Sequence, residues 1–309
     1  MNRTAILLMG PTASGKTEVA ISLCKRFPCD IVSVDSALVY RGMTIGTAKP
    51  DRDTLQRTPH RLIDIRDPES GYSAGDFVRD ARAAMNDIFA RGRIPLLVGG
   101  TMLYFRALTE GIADLPGADL ATRRAIDEKA DELGWPAVHA ELQRVDPEAA
   151  ERINPNDSQR IQRALEVYKV SGKALTAWQD EAHAPEDDIK YLKVALLIDP
   201  RELLHARIAA RLDDMVEAGF VDEVRRLRER PGVTRDSPAM RAVGYRQFWN
   251  YLENDYSLEE ARKRALFATR QLAKRQFTWL RSEKGVFSIN PLEADAIGTI
   301  SRYLAQQLG

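Results

Sequence analysis

The chain has 309 residues, of which 44% are hydrophobic and 29% charged, as is typical of a soluble globular protein with one large or two modest domains. Its 45 Lys and Arg residues balance 45 Asp and Glu residues, so bulk charge alone does not indicate a nucleic-acid partner. The two cysteines, Cys24 and Cys29, are too few for a zinc site, and we expect them to be reduced and structural. No apolar run approaches membrane-spanning length and no signal peptide is apparent, so we expect a cytoplasmic protein with no membrane partner.

The first predicted strand, residues 5–9, leads into a glycine-rich turn and then into a segment with helical patterning. The turn reads GPTASGKT and fits GxxxxGK[ST] in the strand-turn-helix context which that pattern requires. Its backbone N–H groups and the helix N-terminus favour an anion, Lys16 reaches phosphate oxygens, and the Thr17 hydroxyl is a ligand for Mg²⁺. An ordinary Gly/Ser-rich turn is the alternative. The predicted diphosphate-binding residues of the turn are Gly10, Pro11, Thr12, Ala13, Ser14, Gly15, Lys16 and Thr17.

Two polar residues follow buried strands. Asp35 ends a predicted strand over residues 30–35, and Thr101 follows another over residues 94–99. Because the carboxyl ends of parallel strands share one edge of a sheet, we expect Asp35 and Thr101 to face the same crevice as the glycine-rich turn. The alternatives are local: Asp35 caps the following turn through Ser36, and Thr101 caps the following helix.

Strands alternate with helices over the first hundred residues. A short strand is predicted at residues 60–65, and an amphipathic helix over residues 74–91, with Ser73 as its cap. A near-continuous apolar strand follows at residues 191–199. This pattern predicts an α/β fold of the P-loop type, in which helices flank a parallel sheet.

The intervening segment, residues 115–187, is helical and charged and has no strand-like runs. We interpret it as a helical insertion into a catalytic core formed by residues 1–114 and 188–309. In its helix over residues 158–170 the polar side chains Gln159, Arg160 and Arg163 lie on a different side from the apolar stripe. Such a charged face is either simply solvated or a binding surface.

Two basic features lie in the C-terminal part. Arg207 and Arg211 share one helix face, and they require either an anion between them or flanking acids, which Glu202, Asp213 and Asp214 could supply. Residues 262–281 carry seven Lys and Arg residues and no acid, together with aromatic residues. This concentration of charge favours contact with RNA phosphates, and the alternative is a helix with exposed bases and core aromatics.

Several segments together resemble the tRNA dimethylallyltransferase family. They are GPTASGKT, DSALVYRGMTIGTAKP, LLVGGTMLYFRAL, NDSQR with RALEV, VGYRQ and finally ATRQLAKRQFTWLR. The set covers nearly the whole chain in collinear order, whereas the glycine-rich turn alone is shared with many kinases. The chain resembles the shorter bacterial type: it has no cysteines for the C-terminal zinc finger of eukaryotic members, and Leu38 stands where those often carry glutamine.

The resemblance implies transfer of a dimethylallyl group from dimethylallyl diphosphate to N6 of the adenine at tRNA position 37, with Mg²⁺ as cofactor. It implies catalytic roles for Asp35, Thr101, Lys16 and Arg211, and places Arg211 on the diphosphate. We expect the enzyme to be a monomer that grips the anticodon stem-loop. The residues that it implies in tRNA binding are Asp35, Ser36, Ala37, Leu38, Thr101, Arg123, Gln159, Arg160, Ile161, Gln162, Arg163, Arg241, Ala242, Val243, Gly244, Tyr245, Arg246, Lys274, Arg275, Gln276, Phe277, Thr278, Trp279, Leu280 and Arg281.

Three other functions fit parts of the same pattern. A nucleoside or small-metabolite kinase would hold ATP in the turn and use the acid as a base, and it leaves the basic C-terminal stretch unexplained. A non-catalytic, nucleotide-dependent RNA-binding switch would need Lys16 and not Asp35. A prenyltransferase acting on free adenine nucleotides would need neither the helical insertion nor the basic stretch.

Overall fold

The computed structural model describes residues 3–181 and 188–309. The strands are β1 (Arg3–Met9), β2 (Cys29–Val34), β3 (His60–Arg61), β4 (Ile94–Gly99), β5 (Ile189–Leu196) and β6 (Val286–Ile289). The helices up to residue 180 are α1 (Lys16–Cys24), α2 (Arg52–Arg57), α3 (Ala74–Ala90), α4 (Met102–Glu110), α5 (Leu120–Leu133), α6 (Trp135–Val145), α7 (Pro147–Arg152), α8 (Ser158–Ser171) and α9 (Leu175–Asp180). The remaining helices are α10 (Arg201–Glu217), α11 (Phe220–Arg228), a 3₁₀ turn (Pro238–Arg241), α12 (Tyr245–Leu252), α13 (Leu258–Ser282) and α14 (Ala296–Leu308).

The chain forms two compact units, one comprising Met1–Leu108 and Glu186–Gly309 and the other Thr109–Pro185. The C-terminal limit predicted for the helical insertion, residue 187, lies outside the described residues. Within residues 3–181 and 188–309, none of the helices combines the length and the apolarity that a membrane-spanning segment needs.

The first unit is built on a sheet whose six described strands are all parallel, in the order β3-β2-β4-β1-β5-β6. Successive residues of a strand point to opposite faces, and both faces of this sheet are covered by helices. Leu7 of β1 packs with Phe77 and Met85 of α3, whereas its neighbours Ile6 and Leu8 pack on the other face, where α1 and α14 lie. The predicted α/β fold, with helices flanking a parallel sheet, is confirmed.

Local sequence signals set several element boundaries. Ser73 begins α3 as predicted: its hydroxyl accepts the Asp76 N–H at 3.1 Å, and the Asp76 carboxylate accepts the Ser73 N–H at 3.0 Å. The strand predicted at residues 60–65 is wrong beyond Arg61, since Leu62 has a positive φ of 63° and cannot continue a strand. The strand predicted at residues 191–199 begins instead at Ile189 and ends at Leu196.

The second unit is helical in its described part and has its own core. Val138 and Leu142 of α6 pack with Ile161 and Leu165 of α8, and Ile126 of α5 joins them. Helix α9 was missed in the sequence, because its six residues are too few to display a helical period.

The strand register of the first unit places three loop starts at one edge. Met9, the last residue of β1, is the partner of Gly99 on β4, and Val34, the last residue of β2, is also the partner of Gly99. The residues that follow these three strands therefore leave the sheet side by side. These residues begin the glycine-rich turn, the Asp35 loop and the turn before α4.

Candidate active site

The turn over residues 10–17 joins β1 to α1. Gly15 adopts a left-handed conformation (φ 85°) immediately before the helix, which only glycine does at little cost, and Ala13 also has a positive φ of 63°. The Ser14 hydroxyl is buried and has no hydrogen-bond partner among the described residues. Because buried polar groups are normally satisfied, this hydroxyl indicates that a polar ligand belongs in the turn.

Lys16 is the first residue of α1, and its ammonium folds back to donate a hydrogen bond to the Pro11 carbonyl oxygen at 2.7 Å. Burial lowers the pKa of Lys16 from 10.5 to about 8; the nearby Asp35 carboxylate opposes this shift and the Arg211 charge adds to it. A cation that is desolvated in this way gains most from an anion brought next to it.

Helix α10 brings two arginines to the same turn. The Arg207 Nε donates to the Ala13 carbonyl oxygen at 2.9 Å, and an Arg211 Nη donates to the Thr47 carbonyl oxygen at 3.4 Å. The pKa of Arg211 is lowered chiefly by burial, while the charge of Asp35 acts to raise it. Arg211, Lys16 and Asp35 therefore lie close enough to act on one another.

The acids that were an alternative explanation for these arginines do not neutralise them. Asp213 pairs instead with Arg262 of α13, at 2.5 Å. Within the described part of the chain, neither Glu202 nor Asp214 forms an ion pair with Arg207 or Arg211. Three cations, Lys16, Arg207 and Arg211, lie near two acids, Asp35 and Glu18, so the charge left around the turn is positive and suits an anionic ligand.

Asp35 follows β2 at the shared edge. Its Oδ1 accepts the N–H groups of Ala37 at 2.8 Å and Leu38 at 3.1 Å, so the turn-capping alternative is present in the structure. The cap uses one oxygen, and Oδ2 has no partner among the described residues. One carboxylate thus both holds its loop and offers an acceptor beside Lys16.

Thr101 lies two residues after β4, next to the Asp35 loop. Its hydroxyl oxygen accepts the Ser36 N–H at 3.1 Å, which fixes the peptide immediately after Asp35. The helix-cap alternative does not describe this side chain, because it bonds across to the neighbouring strand's loop.

Glu223 of α11 holds the loop that leads to Thr47, and the sequence analysis did not identify it. Its buried carboxylate accepts the N–H groups of residues 44–46 at 2.7 to 3.1 Å and the Tyr245 hydroxyl at 2.6 Å. This loop continues to Thr47, whose carbonyl oxygen accepts from Arg211. Residues 44–46 lie 177 to 179 positions before Glu223 in the chain, so no local pattern relates them to it.

The predicted tRNA contacts of the helical unit fall into two groups. Gln159 and Arg160 are exposed at the start of α8. Arg160 forms an ion pair with Asp157 at 3.6 Å, but most of its side chain remains exposed. Arg123 and Arg163 form ion pairs with Glu166, at 2.8 and 2.6 Å, and the Glu166 side chain is fully buried. Burial acts to raise the pKa of Glu166, but the hydrogen bonds from the two arginines outweigh it and leave the pKa lowered.

Two further residues of α8 are already engaged. Ile161 is fully buried in the helical core, so its side chain is not an RNA surface in this structure. Gln162 donates a hydrogen bond to Asp127 at 2.6 Å.

The predicted tRNA contacts of the first unit differ in exposure. The exposed residues are Ser36, Arg241, Arg246, Lys274, Arg275, Thr278, Trp279 and Arg281. The half-buried residues are Asp35, Ala37, Leu38, Thr101, Ala242 and Val243. The buried residues are Gly244, Tyr245, Gln276, Phe277 and Leu280. The side chains of this last group belong to the protein interior, and contact through them is not available in this structure.

Acidic residues outside the basic stretch of α13 neutralise part of its positive charge. Lys263 pairs with Glu259 and Arg264 with Glu260, each one helical turn earlier, and Arg262 pairs with Asp213 of α10. In the first half of the stretch the basic side chains are therefore exposed and paired with acids, as the alternative to RNA binding supposed. The second half keeps Lys274, Arg275 and Arg281 exposed, beside Trp279, whose ring lies 5.8 Å from the Arg106 guanidinium carbon.

The chain has a parallel sheet with a glycine-rich turn between β1 and α1 at its edge, an α/β architecture in which such turns commonly receive a phosphate group. Residues 38–283 match the model of the IPP transferase family. The chain belongs to this family.

Individual relatives agree over almost the full length. The chain is 55% identical over 307 residues to the tRNA dimethylallyltransferase of Thiobacillus denitrificans, covering 99% of this chain and 97% of the relative. The crystal structure of a tRNA isopentenylpyrophosphate transferase from Bacillus halodurans is similar with a TM-score of 0.73 and 35% identity, covering 100% of this chain and 97% of that one. A eukaryotic dimethylallyltransferase acting on tRNA matches with a TM-score of 0.79 and 26% identity, over 99% of this chain and 79% of that one.

Proposed function

We propose that the protein transfers a dimethylallyl group from dimethylallyl diphosphate to N6 of adenine 37 in tRNA and releases diphosphate. The observation that carries this proposal is geometric: β1 and β2 both end beside Gly99, so the Lys16 turn and the Asp35 loop begin at one edge of the sheet, and α10, which carries Arg211, is bound to that turn through Arg207. An anion cradle and a carboxylate lie there next to each other. Membership of the family, with a relative named tRNA dimethylallyltransferase at 55% identity, supports the same reaction.

The reaction balances with these groups. The N6 nitrogen attacks the allylic carbon, the bond from that carbon to the diphosphate oxygen breaks, and the electron pair leaves with the diphosphate. Lys16 and Arg211 stabilise the charge that grows on the leaving group, in a site where burial strengthens electrostatic interactions. Asp35 accepts a hydrogen bond from N6 and takes its proton. Because an exocyclic amine is weakly basic, orientation contributes more than simple deprotonation.

Magnesium fits this site as a phosphate-bound ion. Within the described residues there is no group of three or more His, Cys, Asp or Glu side chains that could hold a metal. Mg²⁺ commonly takes only one or two protein ligands and fills its other positions with phosphate oxygens and water. Thr17, the second residue of α1, is the ligand we propose, and when bound the ion would neutralise charge on the diphosphate.

The target adenine must leave the stack of the anticodon loop to reach a crevice at the sheet edge, at a cost of about a few kcal/mol. Single-stranded bases splayed out in this way are the usual means by which proteins read RNA sequence. The exposed Lys and Arg side chains of α13 and α8 are our candidates for holding the RNA backbone. We further propose that the enzyme acts as a monomer in the cytoplasm.

The direct test is incubation of the protein with dimethylallyl diphosphate, Mg²⁺ and total tRNA, followed by digestion of the tRNA to nucleosides. We expect N6-isopentenyladenosine among the products. The kinase alternative is not favoured, because the relatives that match nearly the whole chain are transferases. Consumption of ATP with chemically unchanged RNA would restore that alternative.

The Lys and Arg side chains of α13 that form no ion pair within the described residues should control the salt dependence of tRNA binding. We expect replacement of Arg270, Lys274 and Arg275 by Ala to weaken binding and to reduce the slope of log K against log salt by about 2 to 3, near one unit per lost phosphate contact. Binding isotherms between about 50 and 200 mM salt measure this slope.

The same helix offers a matched control. The triple variant of Arg262, Lys263 and Arg264 to Ala removes the same formal charge, but these side chains are paired with acids. Its slope should change by less than about one unit. Equal slopes for the two triple variants would place the RNA surface elsewhere.

A further inference from the structure

Gln276 lies on α13, and its side-chain amide joins two loops of the candidate active site. The residue is only 8% exposed. Its Oε1 accepts the Thr12 N–H at 3.0 Å, and its Nε2 donates to the Gly100 carbonyl oxygen at 2.8 Å. Both polar ends of one buried amide are thus used on backbone groups, one in the glycine-rich turn and one in the turn before α4.

On the phosphate side, this amide fixes the peptide unit that holds Lys16. The N–H of the Pro11–Thr12 peptide is bound by Gln276, and the carbonyl oxygen of the same peptide accepts from the Lys16 ammonium at 2.7 Å. A peptide unit is planar, so its two polar atoms turn together. Releasing the N–H would therefore also move the acceptor of Lys16.

On the acid side, the amide fixes the residue before Thr101. A Cβ added to Gly100 would lie 2.5 Å from the Gln276 Nε2, so glycine is needed at this point to let the amide approach. The next residue, Thr101, accepts the Ser36 N–H at 3.1 Å, and Ser36 follows Asp35. A chain of short contacts thus runs from the amide to the acid loop.

We propose that Gln276 is a positioning residue that holds the phosphate turn and the Asp35 loop in one relative geometry, and that it does not act by contacting tRNA. Exposed Lys274 and Arg275 precede it directly on α13, so the helix that we assign to RNA binding is the same helix that ties the two loops together. The catalytic consequence rests on the proposed transfer reaction. The expected effect on diphosphate binding does not depend on that reaction.

The test compares Gln276→Met, which keeps the length of the side chain and removes the amide, with Gln271→Met on the same helix as control. We expect Gln276→Met to lower the single-turnover transfer rate at saturating substrates by about 10- to 100-fold, because small misplacements of reacting groups have effects of this size. It should also weaken binding of inorganic diphosphate by about tenfold, as the turn loses its support. The affinity for tRNA should stay within about threefold of the wild-type value, and Gln271→Met should leave all three quantities within about twofold.

A second variant distinguishes positioning from a loss of folding. In Gln276→Glu a protonated carboxyl group could accept the Thr12 N–H and donate to the Gly100 oxygen, whereas an ionised one has no proton to donate. The transfer rate of this variant, divided by the wild-type rate at the same pH, should therefore rise as the pH falls from about 8 to about 5.5. The same ratio for Gln276→Met should not rise. A side chain that only stabilised the fold would give a flat ratio for both variants.

Two results would overturn the proposal: a wild-type rate for Gln276→Met, or a tRNA affinity weakened about tenfold with an unchanged rate at saturation, which would make Gln276 an RNA contact. Absence of transfer by the wild-type protein would instead contradict the proposed function. In that case the diphosphate affinities of the two Met variants still decide the positioning role, and equal affinities would refute it.

Discussion

Asp35→Asn is expected to lower the rate of transfer in a single turnover by about 10²- to 10⁴-fold, the range for loss of a positioned proton acceptor. The substitution is chosen because the amide oxygen can still accept the N–H groups of Ala37 and Leu38, so the turn is kept and only the charge is lost. Binding of tRNA should change by less than about threefold, because most of the affinity comes from phosphate contacts elsewhere.

Asp35→Ala provides the comparison, since it removes both the charge and the cap. It should match Asp35→Asn in rate and lose about 1 to 2 kcal/mol more in the free energy of unfolding, because two backbone N–H groups of the turn lose their acceptor. Rapid-quench measurement of prenylated tRNA and thermal unfolding separate the two effects. A single-turnover rate for Asp35→Asn close to that of the wild type would remove Asp35 from the chemistry and leave it a turn cap.

Lys16→Met is expected to reduce transfer by about 10²- to 10³-fold and to stabilise the protein without ligand. The first effect follows from loss of a cation that faces the departing diphosphate. The second follows from burial, which lowers the pKa of Lys16 to about 8. A charged ammonium held in this site costs folding free energy at pH 7, and the drop in its pKa corresponds to about 3 kcal/mol. Its hydrogen bond to the Pro11 carbonyl oxygen, worth about 1.5 kcal/mol, is lost as well, so the substitution should raise the free energy of unfolding by about 1 to 2 kcal/mol.

The pH dependence of this stabilisation has a definite sign. Between pH 8 and 10.5 the unfolded chain keeps the Lys16 proton and the folded protein loses it, so the wild-type free energy of unfolding rises with pH across this window. Below pH 8 both states are protonated and the cost is complete. The advantage of Lys16→Met should therefore be largest at pH 7 and shrink towards pH 10. Thermal unfolding at the two pH values measures this difference.

Lys25→Met serves as the control, because Lys25 is exposed at the end of α1 and faces solvent. It should not stabilise the protein at either pH, and its transfer rate should equal that of the wild type. If Lys16→Met were less stable than the wild type at pH 7, the ammonium would be well solvated or well paired, and its depressed pKa would be refuted.

Much of the site was predictable because its signals are local. The glycine-rich turn, the acid after β2 and the threonine after β4 are each recognisable within a dozen residues of sequence. Parallel strands bring their carboxyl ends to one edge, so local signals of this kind predict a shared location once the strands are recognised. The family resemblance, carried by collinear motifs, is confirmed for the same reason.

The state of each charged side chain was not predictable in this way. On α8 and α13, the sequence shows arginines and lysines on a polar face, but it does not reveal which of them already have an acid partner. Arg123 and Arg163 share one buried carboxylate, and Arg262 finds its acid on another helix. These pairings depend on which helices pack together, and they decide how much charge is left for RNA.

By itself, then, the sequence determined the strands β1, β2, β4 and β5, the phosphate turn and the family, since periodicity and turn chemistry act between residues close in the chain. Only the tertiary structure decided what holds the site in shape. Gln276 reaches Thr12 across 264 positions, and Glu223 reaches residues 44–46 across 177 to 179. Buried polar groups must find hydrogen-bond partners wherever packing brings them, and that requirement leaves no local trace in the order of the residues.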